Sequence, residues 1–309
     1  LKKVKGPKFL HVITTKGKGL QLAEEDQVKY HAPGKFDAET GKIHPKDESH
    51  LPPKFQDVFG FTLVELAKQN EKIIGITPAM PTGSSMKYMM ETFPERAIDV
   101  GIAEQHAVTS AAGMAFAGLH PVVALYSTFL NRAFDQLLLD VALHKAGVTF
   151  VLDRSGITGD DGPSHHGIWD LALTGIVPNM NVGAPRDGAR LREILREAVA
   201  ISDAPSMLRF PKGAVQEDIP AFERRDGIDV LYRGESADVL LVSVGAMAAI
   251  AVEAAGMAYR EGVGVTVIDP RWIKPLPASL VTIAQRYKSV VVLEDGIKHG
   301  GIASTLSEL

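Results

Sequence analysis

Short apolar runs alternate with longer segments of helical period from residue 55 onward. The predicted strands lie at 73–76, 97–100, 121–126, 148–153, near 181 and at 206–210. The predicted helices lie at 55–69, around 86–93, and at 104–117, 129–145 and 187–201. Strands that alternate with helices in this way form a parallel sheet covered on both faces. The pattern predicts a doubly wound α/β domain over residues 53–215.

A polar stretch interrupts the alternation after residue 213, and the alternation then begins again. Strands are predicted at 239–244, 265–268 and 290–293, with helices at 247–261, at 278–286 and after Gly301. A doubly wound domain usually has one more strand and helix than this. We therefore expect a linker at 216–235 and a second α/β domain at 236–309 that is clipped at its end.

Residues 1–52 lack this regularity. The apolar run 9–14 predicts a short buried strand, whereas residues 16–50 mix Gly, Pro and charge without a sustained period. Connections of this length are usually functional or act as linkers. The lysines among residues 1–18 lack the regular aromatic interleaving of a nucleic-acid arm, so they indicate a solvated segment.

The charge is nearly balanced, with 33 Lys and Arg against 37 Asp and Glu and a net charge of −4. This balance argues against binding to nucleic acid through overall charge, although a local site for a small anion is still allowed. No apolar stretch reaches the roughly 18 residues of a membrane span, and no signal sequence opens the chain. We expect a cytoplasmic protein with no membrane or nucleic-acid partner.

General motifs for catalysis and metal binding are missing. The absence of cysteine excludes disulfides, thiolate metal sites and cysteine nucleophiles. The chain has no dinucleotide fingerprint, phosphate loop or nucleophile elbow. His165 and His166 are adjacent and would diverge on a helix or strand, and no H-E-x-x-H pattern occurs. We therefore predict no metal ligands within this chain.

Polar residues follow the predicted strands at the edge where open α/β sheets bind ligands. Glu104 opens a helix, and in isolation a first-turn glutamate is more simply explained by the helix dipole. The segment 126–132 fits a helix cap with a core phenylalanine as well as it fits a site. The loop 156–167 is rich in glycine and buries little, so its histidine, His165, is better explained by function.

Five runs along the chain resemble 1-deoxy-D-xylulose-5-phosphate synthases in residue order and spacing. They are YHAPGKFD at 30–37, TPAM at 77–80, GIAEQHA at 101–107, YSTFLNRAFDQ at 126–136 and DRSGITG at 153–159. The resemblance covers essentially the whole chain but only about the second half of the usual length in the family. It implies a transketolase-like protein with the end of an N-terminal domain and a linker at 1–52, a pyrimidine-binding domain at 53–215 and a C-terminal domain at 236–309.

The resemblance also implies a reaction. These enzymes use thiamine diphosphate and Mg²⁺ to condense pyruvate with D-glyceraldehyde 3-phosphate to 1-deoxy-D-xylulose 5-phosphate and carbon dioxide, the first step of the non-mevalonate isoprenoid pathway. They form homodimers, which we expect here. Their G-D-G motif for the diphosphate and Mg²⁺ is absent from this sequence, so the metal ligands are expected upstream. The chain alone is expected to be inactive.

The family's residue roles carry over by position. The cofactor-binding positions are Glu104, which would hydrogen-bond pyrimidine N1′, Phe129, which would stack on the pyrimidine, Ile102 and Leu20. The proton-transfer positions are His165 and His31, with Asp161 orienting or acting beside them. The positions for the acceptor phosphate are Arg154, Lys212, Tyr126 and Arg132.

The sequence departs from many relatives at a few of these positions. Leu20 replaces a tyrosine, which puts cofactor contact there in doubt. Asn131 and Phe134 replace a frequent glutamine and tyrosine. Lys212 replaces an arginine and keeps the charge without the bidentate fork.

Three other interpretations stay open at this point. The β subunit of a 2-oxo acid dehydrogenase would explain a short chain, but not the run at 30–37 or the loop at 154–165. A non-catalytic assembly chain would not need both Glu104 and His165. A folded but inactive piece of the synthase is the third interpretation, and it agrees with the absent magnesium motif.

Overall fold

The computed structural model describes residues 1–31, 33–37, 39–44 and 51–309, which form two compact units, Leu1–Leu51 and Pro52–Leu309. In the first unit, helix α1 spans Gln21–Glu25, and Tyr30 Oη donates to the Gly41 carbonyl at 2.9 Å. Residues 32, 38 and 45–50 of the predicted connection lie outside the described residues.

The strand predicted at residues 9–14 is wrong. These residues adopt no strand, and the Phe9 and Ile13 side chains are 91% and 86% exposed within the chain. A strand is stabilised by hydrogen bonds to a neighbour and by an apolar surface to pack on. Within the described part of Leu1–Leu51, no strand pairs with this run.

Twelve strands occur in the described part of the second unit. In chain order they are β1 (Ile73–Thr77), β2 (Ala97–Asp99), β3 (His120–Tyr126), β4 (Thr149–Asp153), β5 (Asn181–Gly183), β6 (Ser206–Arg209), β7 (Glu223–Arg225), β8 (Ile228–Tyr232), β9 (Val239–Ser243), β10 (Val265–Asp269), β11 (Trp272–Lys274) and β12 (Ser289–Leu293). Seven of them form one sheet in the order β11-β5-β6-β4-β3-β1-β2, and five form another in the order β12-β9-β10-β8-β7.

The helices lie mostly where the periodicity predicts them. They are α2 (Phe55–Gln69), α3 (Lys87–Thr92), α4 (Glu104–Phe116), α5 (Phe134–Gln136), α6 (Asp170–Gly175), α7 (Gly188–Val199), α8 (Ala248–Arg260), α9 (Ser279–Ala284) and α10 (Ile302–Glu308). None of the helices in the described ranges is long and apolar enough to cross a bilayer.

The helix predicted at 129–145 is composite. A 3₁₀ segment, Ser127–Ala133, leads into α5, and a π-helical segment, Leu137–Ala142, follows it. The three helix types differ in their hydrogen-bond partners. A pattern of apolar side chains predicts a helix here without distinguishing among the types.

Both faces of the seven-stranded sheet are covered. Successive strand residues alternate between two buried clusters, so Ile74 and Val123 belong to one cluster and Ile73 and Val122 to the other. Strands buried on both faces are typical of parallel sheets. All neighbouring pairs in this sheet are parallel except β11 with β5. The predicted α/β fold with two sheet domains is confirmed.

The segment expected to be a linker, 216–235, differs from that expectation. It contains β7 and β8, which pair antiparallel with each other, and β8 pairs with β10. β7 is an edge strand with the sequence Glu-Arg-Arg, and charged residues are common on such edges because they discourage pairing with other chains. Their polarity hides the strand from an analysis based on apolar runs.

The two sheets are joined through β11 and a buried ion network. β11 follows β10 in sequence but pairs with β5 of the larger sheet. Beside this junction, Arg186 Nη1 donates to Asp229 Oδ2 and Asp269 Oδ2, both at 2.7 Å. All three side chains are almost fully buried, so the junction is a fixed part of the fold.

Candidate functional site

Four neighbouring parallel strands, β4, β3, β1 and β2, end at one edge of the larger sheet. The chain leaves this edge through segments that carry most of the predicted site residues. Arg154 comes directly after β4, Tyr126 ends β3, and Glu104 begins the helix that follows β2. The parallel arrangement therefore gathers residues that are far apart in the sequence, as open α/β sheets do for ligands.

Arg154 lies at the centre of a polar cluster. Its Nη1 donates to Asp153 Oδ2 at 2.8 Å and to the Gly83 carbonyl at 3.1 Å. Its guanidinium lies over the Tyr126 ring, 3.7 Å from the ring centre. This cation–π contact and the two hydrogen bonds hold the side chain in place.

Asp161 bridges the two cations predicted to bind phosphate. Its Oδ1 accepts from Lys212 Nζ at 2.9 Å, and its Oδ2 lies 3.5 Å from Arg154 Nε. The contact with Arg154 is an ion pair and not a good hydrogen bond. Arg154 Nε and Asp161 Oδ2 are both buried without a hydrogen-bond partner in the described structure. The structure thus brings Arg154, Lys212 and Tyr126 together.

An aromatic cluster adjoins these charges. The Phe129 and Tyr126 rings stack with centres 5.9 Å apart, and the His165 ring meets Phe129 edge-on at 5.7 Å. His165 Nδ1 lies 3.0 Å from Ser164 Oγ. Arg132 is exposed and lies 5.9 Å from the Phe129 ring centre, so it sits on the outer side of this cluster.

Glu104 is the first residue of α4 and is only 4% exposed. No hydrogen bond to its carboxylate occurs among the described residues of the chain. The loop before it is held by Asp99 Oδ1, which accepts from the Ala79 and Gly101 amides at 2.8 and 2.9 Å. A carboxylate on a largely buried residue with unused hydrogen-bond capacity suits a ligand contact. The Ile102 side chain beside it is 81% exposed.

Three of the seven non-glycine residues with a positive φ in the described chain lie at this edge. Ala79, Ser85 and Arg154 have φ values of 60°, 56° and 63°, in the left-handed region that non-glycine residues rarely adopt. Such conformations persist where the surrounding structure enforces them, and they cluster at binding sites. The strain at Arg154 therefore supports a functional interpretation of the loop that it opens.

Burial also shifts two pKa values in the cluster. It raises the pKa of Asp153 to about 7, an effect that the adjacent Arg154 partly offsets. It raises the pKa of the Tyr126 hydroxyl, again against the effect of Arg154. Asp153 Oδ1 and Ser127 Oγ are buried here without a hydrogen-bond partner in the described structure. These groups can exchange protons or hydrogen bonds with a ligand.

Two residues of this cluster were missed as site residues by the sequence analysis. A Cβ atom at Gly83 would lie 1.8 Å from Tyr126 Oη, so only glycine allows Tyr126 its present position. Asp153 holds the Arg154 side chain by accepting a hydrogen bond from its Nη1. The contact of Gly83 with Tyr126 depends on how one loop packs on another, and no local sequence pattern predicts it. Asp153 could have been found from its place at the end of a strand.

Two of the predicted site residues lie in the first unit. Leu20 and His31 belong to the unit Leu1–Leu51, and their roles stay predictions. Within the ranges that the structure describes, no group of three or more His, Cys, Asp or Glu side chains could hold a metal ion.

The fold and the site define an open α/β protein with ligand groups at the carboxyl edge of its larger sheet. Matches to two family models define the class of protein more narrowly. Residues 52–217 match the transketolase pyrimidine-binding domain, and residues 229–309 match the transketolase C-terminal domain. The chain belongs to the transketolase family.

Individual relatives agree with the motifs. The chain is 54% identical over 304 residues to the 1-deoxy-D-xylulose-5-phosphate synthase of Leifsonia xyli subsp. xyli, covering 98% of this chain and 46% of that protein. It is 56% identical over 306 residues to the synthase of Mycolicibacterium gilvum, covering 97% and 47%. The predicted resemblance is confirmed, and the chain spans about half the length of these curated relatives.

Solved structures share the fold. A split-gene transketolase, described as an inactive β4 tetramer, matches with a TM-score of 0.73 and 31% identity, covering 83% of this chain and 84% of that one. A transketolase mutant of Pichia stipitis matches with a TM-score of 0.69 at 18% identity, covering 89% and 46%. The second likeness concerns the fold alone.

Proposed function

We propose that this chain supplies the pyrimidine-binding and C-terminal domains of an enzyme that condenses pyruvate with D-glyceraldehyde 3-phosphate to 1-deoxy-D-xylulose 5-phosphate and carbon dioxide. The observation that carries the proposal is the cluster in which Arg154, Lys212 and Tyr126 meet around Asp161. A phosphorylated acceptor needs such a group of fixed cations and a hydroxyl. The similarity to synthases of this name supports the same reaction.

The cofactor proposal rests on Glu104 and Phe129. Thiamine diphosphate, when bound, supplies the carbanion chemistry that amino-acid side chains lack. The buried Glu104 carboxylate, with no partner among the described residues, fits a hydrogen bond from the pyrimidine. Phe129 offers a half-buried ring for the pyrimidine to pack on. We propose that the diphosphate and its Mg²⁺ are held by the half of the relatives that this chain does not match.

The remaining groups would serve the substrates. Arg154 and Lys212 would hold the acceptor phosphate, and Tyr126 would donate to it. His165 lies against both aromatic rings of the cluster and is placed to exchange protons with substrate oxygens. Asp161 would orient the two cations. His31 is proposed as a second proton-transfer group by its family position.

A homodimer is part of the proposal. Phe116 of α4 and Leu143, which follows the π-helical segment, are 61% and 65% exposed. The two elements pack beside each other, so these apolar side chains belong to adjoining parts of the surface. Exposed apolar side chains on adjoining elements are typical of surfaces that another subunit covers.

Reconstitution tests the reaction. The 309-residue chain would be assayed alone and together with the diphosphate-binding half of the Leifsonia xyli relative, with pyruvate, D-glyceraldehyde 3-phosphate, thiamine diphosphate and Mg²⁺. We expect acceptor-dependent release of carbon dioxide from the combination and none from the chain alone. Release that is independent of the phosphorylated acceptor would instead favour a 2-oxo acid dehydrogenase subunit.

Glu104→Ala is the matched variant for the cofactor role. A first-turn glutamate stabilises a helix by only about 0.3–1 kcal/mol, so the variant should fold. The reconstituted variant should lose deuterium exchange at C2 of the cofactor, because the carboxylate would no longer hold the pyrimidine. Near-normal exchange in a folded variant would refute the role.

A further inference from the structure

A second buried ion cluster lies behind the candidate site and is not part of it. Arg209, the last residue of β6, is almost fully buried. Its Nε donates to Asp170 Oδ2 at 2.7 Å, and its Nη1 donates to Asp295 Oδ1 at 2.6 Å. Asp170 begins α6 in the pyrimidine-binding domain, whereas Asp295 follows β12 in the C-terminal domain. One guanidinium therefore joins the two domains.

The pyrimidine-domain side of this cluster leads directly to the site. Asp170 Oδ2 also accepts from Ser155 Oγ at 2.9 Å. Ser155 follows Arg154, and its amide donates to the Phe210 carbonyl at 3.0 Å. The base of the loop that carries Arg154, Asp161 and His165 is thus attached to Arg209 through a single carboxylate.

The C-terminal-domain side is equally fixed. Residues 294–301 between β12 and α10 form the Asp295 loop. The Glu294 carboxylate accepts from the Ile302 and Ala303 amides at 2.8 and 3.0 Å, which anchors the start of this loop to α10. The Ile297 amide donates to the Ile168 carbonyl at 3.0 Å. Ile168 directly follows residues 154–167, the site loop. The Asp295 loop therefore contacts both ends of the site loop.

The contact is close enough to constrain the sequence. Gly156 has a φ of 77°, and a Cβ atom there would lie 2.7 Å from Asp295 Oδ2. Lys274 of β11 grips the other end of α6, donating to the carbonyls of Thr174 and Val177 at 2.5 and 2.6 Å. The helix after the site loop is held at both of its ends by residues that follow β10 in sequence.

We infer that Arg209 is a positioning residue, through which Asp295 of the C-terminal domain fixes the site loop 154–167. The side chain of Arg209 hydrogen-bonds to Asp170 and Asp295, and neither is a proposed ligand group. It acts through Asp170 and Ser155 on the backbone that presents Arg154. The C-terminal domain would in this way set the geometry of the phosphate cluster without contributing a side chain to it.

Hydrogen exchange of the 309-residue chain tests the coupling without any activity. In Asp295→Ala, the amides of Gly156 and Gly167, which pair with each other's carbonyls, should exchange about 10- to 100-fold faster, as expected for the loss of a charge-assisted hydrogen bond. Asp295→Asn keeps an acceptor for Arg209 and should give a smaller increase. Exchange in β3, in the same domain, should stay unchanged in both variants.

Glu223→Gln is the matched control. This variant removes an exposed carboxylate of β7 in the smaller sheet, which forms an ion pair with Arg233. It should leave the site loop unaffected. Unchanged exchange at 155–168 in Asp295→Ala would overturn the inference. Faster exchange throughout, including β3, in both Asp295 variants would also overturn it, because it would indicate a general contribution to stability.

The consequence for catalysis rests on the proposed function. In the reconstituted enzyme, Asp295→Ala should raise KM for the phosphorylated acceptor several-fold and leave kcat and KM for pyruvate near wild type. An equal loss on both substrates would contradict a positioning role at the phosphate cluster. If the wild-type enzyme shows no dependence on the acceptor, the proposed function fails, while the exchange experiment still decides the coupling.

Discussion

Arg154 at the candidate site and Arg186 at the junction of the two sheets are both buried arginines among aspartates, but they use their hydrogen-bond capacity differently. All three nitrogens of Arg186 have partners, namely Asp187, Asp229, Asp269 and the Ile219 carbonyl. Arg154 hydrogen-bonds only through Nη1 in the described structure, and its backbone is strained. Each nitrogen of the first arginine has a protein partner, whereas the second keeps donors that the described protein does not engage.

Burial therefore does not distinguish the functional arginine from the structural one. Their side chains are 11% and 1% exposed, and each has nearby carboxylates. The difference lies in unused donors and acceptors, since buried polar atoms without a protein partner are rare and need an explanation. Around Arg154, the unpartnered atoms of Ser127 and Asp153 give the same indication.

The largest expected effect concerns stability. Arg186→Met should lower the free energy of unfolding by about 3–5 kcal/mol, because it leaves buried aspartates without their partner. Arg154→Met should cost about 1–2 kcal/mol, since Asp153 can take up a proton. Urea denaturation of the 309-residue chain at neutral pH measures both. Equal losses would show that the two arginines do not differ in the way proposed.

The next effect concerns the acceptor. Arg154→Ala in the reconstituted enzyme should reduce kcat/KM for D-glyceraldehyde 3-phosphate by about 10- to 150-fold, the loss expected for one charge-assisted bond to phosphate. Kinetics with pyruvate should be almost unchanged. Arg196→Ala, at an exposed pair with Glu65, is the control and should behave as wild type. A matching loss on the pyruvate side would remove Arg154 from the phosphate site.

A pH effect follows from Asp153. Its pKa of about 7 lies above the ordinary value, so between about pH 4 and 7 the folded chain holds a proton that the unfolded chain has lost. This group therefore makes the chain less stable as the pH rises through that range. Asp153→Asn should remove this contribution, and its free energy of unfolding should fall less than that of wild type from pH 4.5 to 7.5. Parallel curves in urea denaturation would contradict the prediction.

The sequence predicts the elements that bury continuous apolar faces. α2 spans Phe55–Gln69 as predicted, and β9 and β10 begin at the predicted residues. Long periodic segments bury enough surface for their local pattern to match the final fold. The site residues at the ends of β3 and β4 follow from the same pattern, because the edge of a parallel sheet is defined by its strands.

What escaped prediction depends on contacts between distant residues. β11 is three residues long, and only its pairing with β5 makes it a strand. The run 9–14 is apolar but has no pairing strand in the described part of its unit. Likewise, Gly83 and Arg209 matter through the atoms that pack on them, which no local pattern contains.

The smallest expected effect concerns Lys212, which marks the open side of the phosphate cluster. Its Nζ donates to Asp161 Oδ1 at 2.9 Å and presents a point charge where the family resemblance leads us to expect an arginine. Lys212→Arg keeps the charge and adds a planar fork that matches phosphate oxygens. If Arg154 leaves part of the phosphate unsatisfied, the variant should lower KM for the acceptor about two- to fivefold, with kcat unchanged, because one further hydrogen bond is worth about 0.5–1.5 kcal/mol. Lys212→Met, of similar length without the charge, is the matched control and should raise KM. Unchanged acceptor kinetics in both variants would show that Lys212 only neutralises Asp161, and the cluster would then hold its ligand through Arg154 alone.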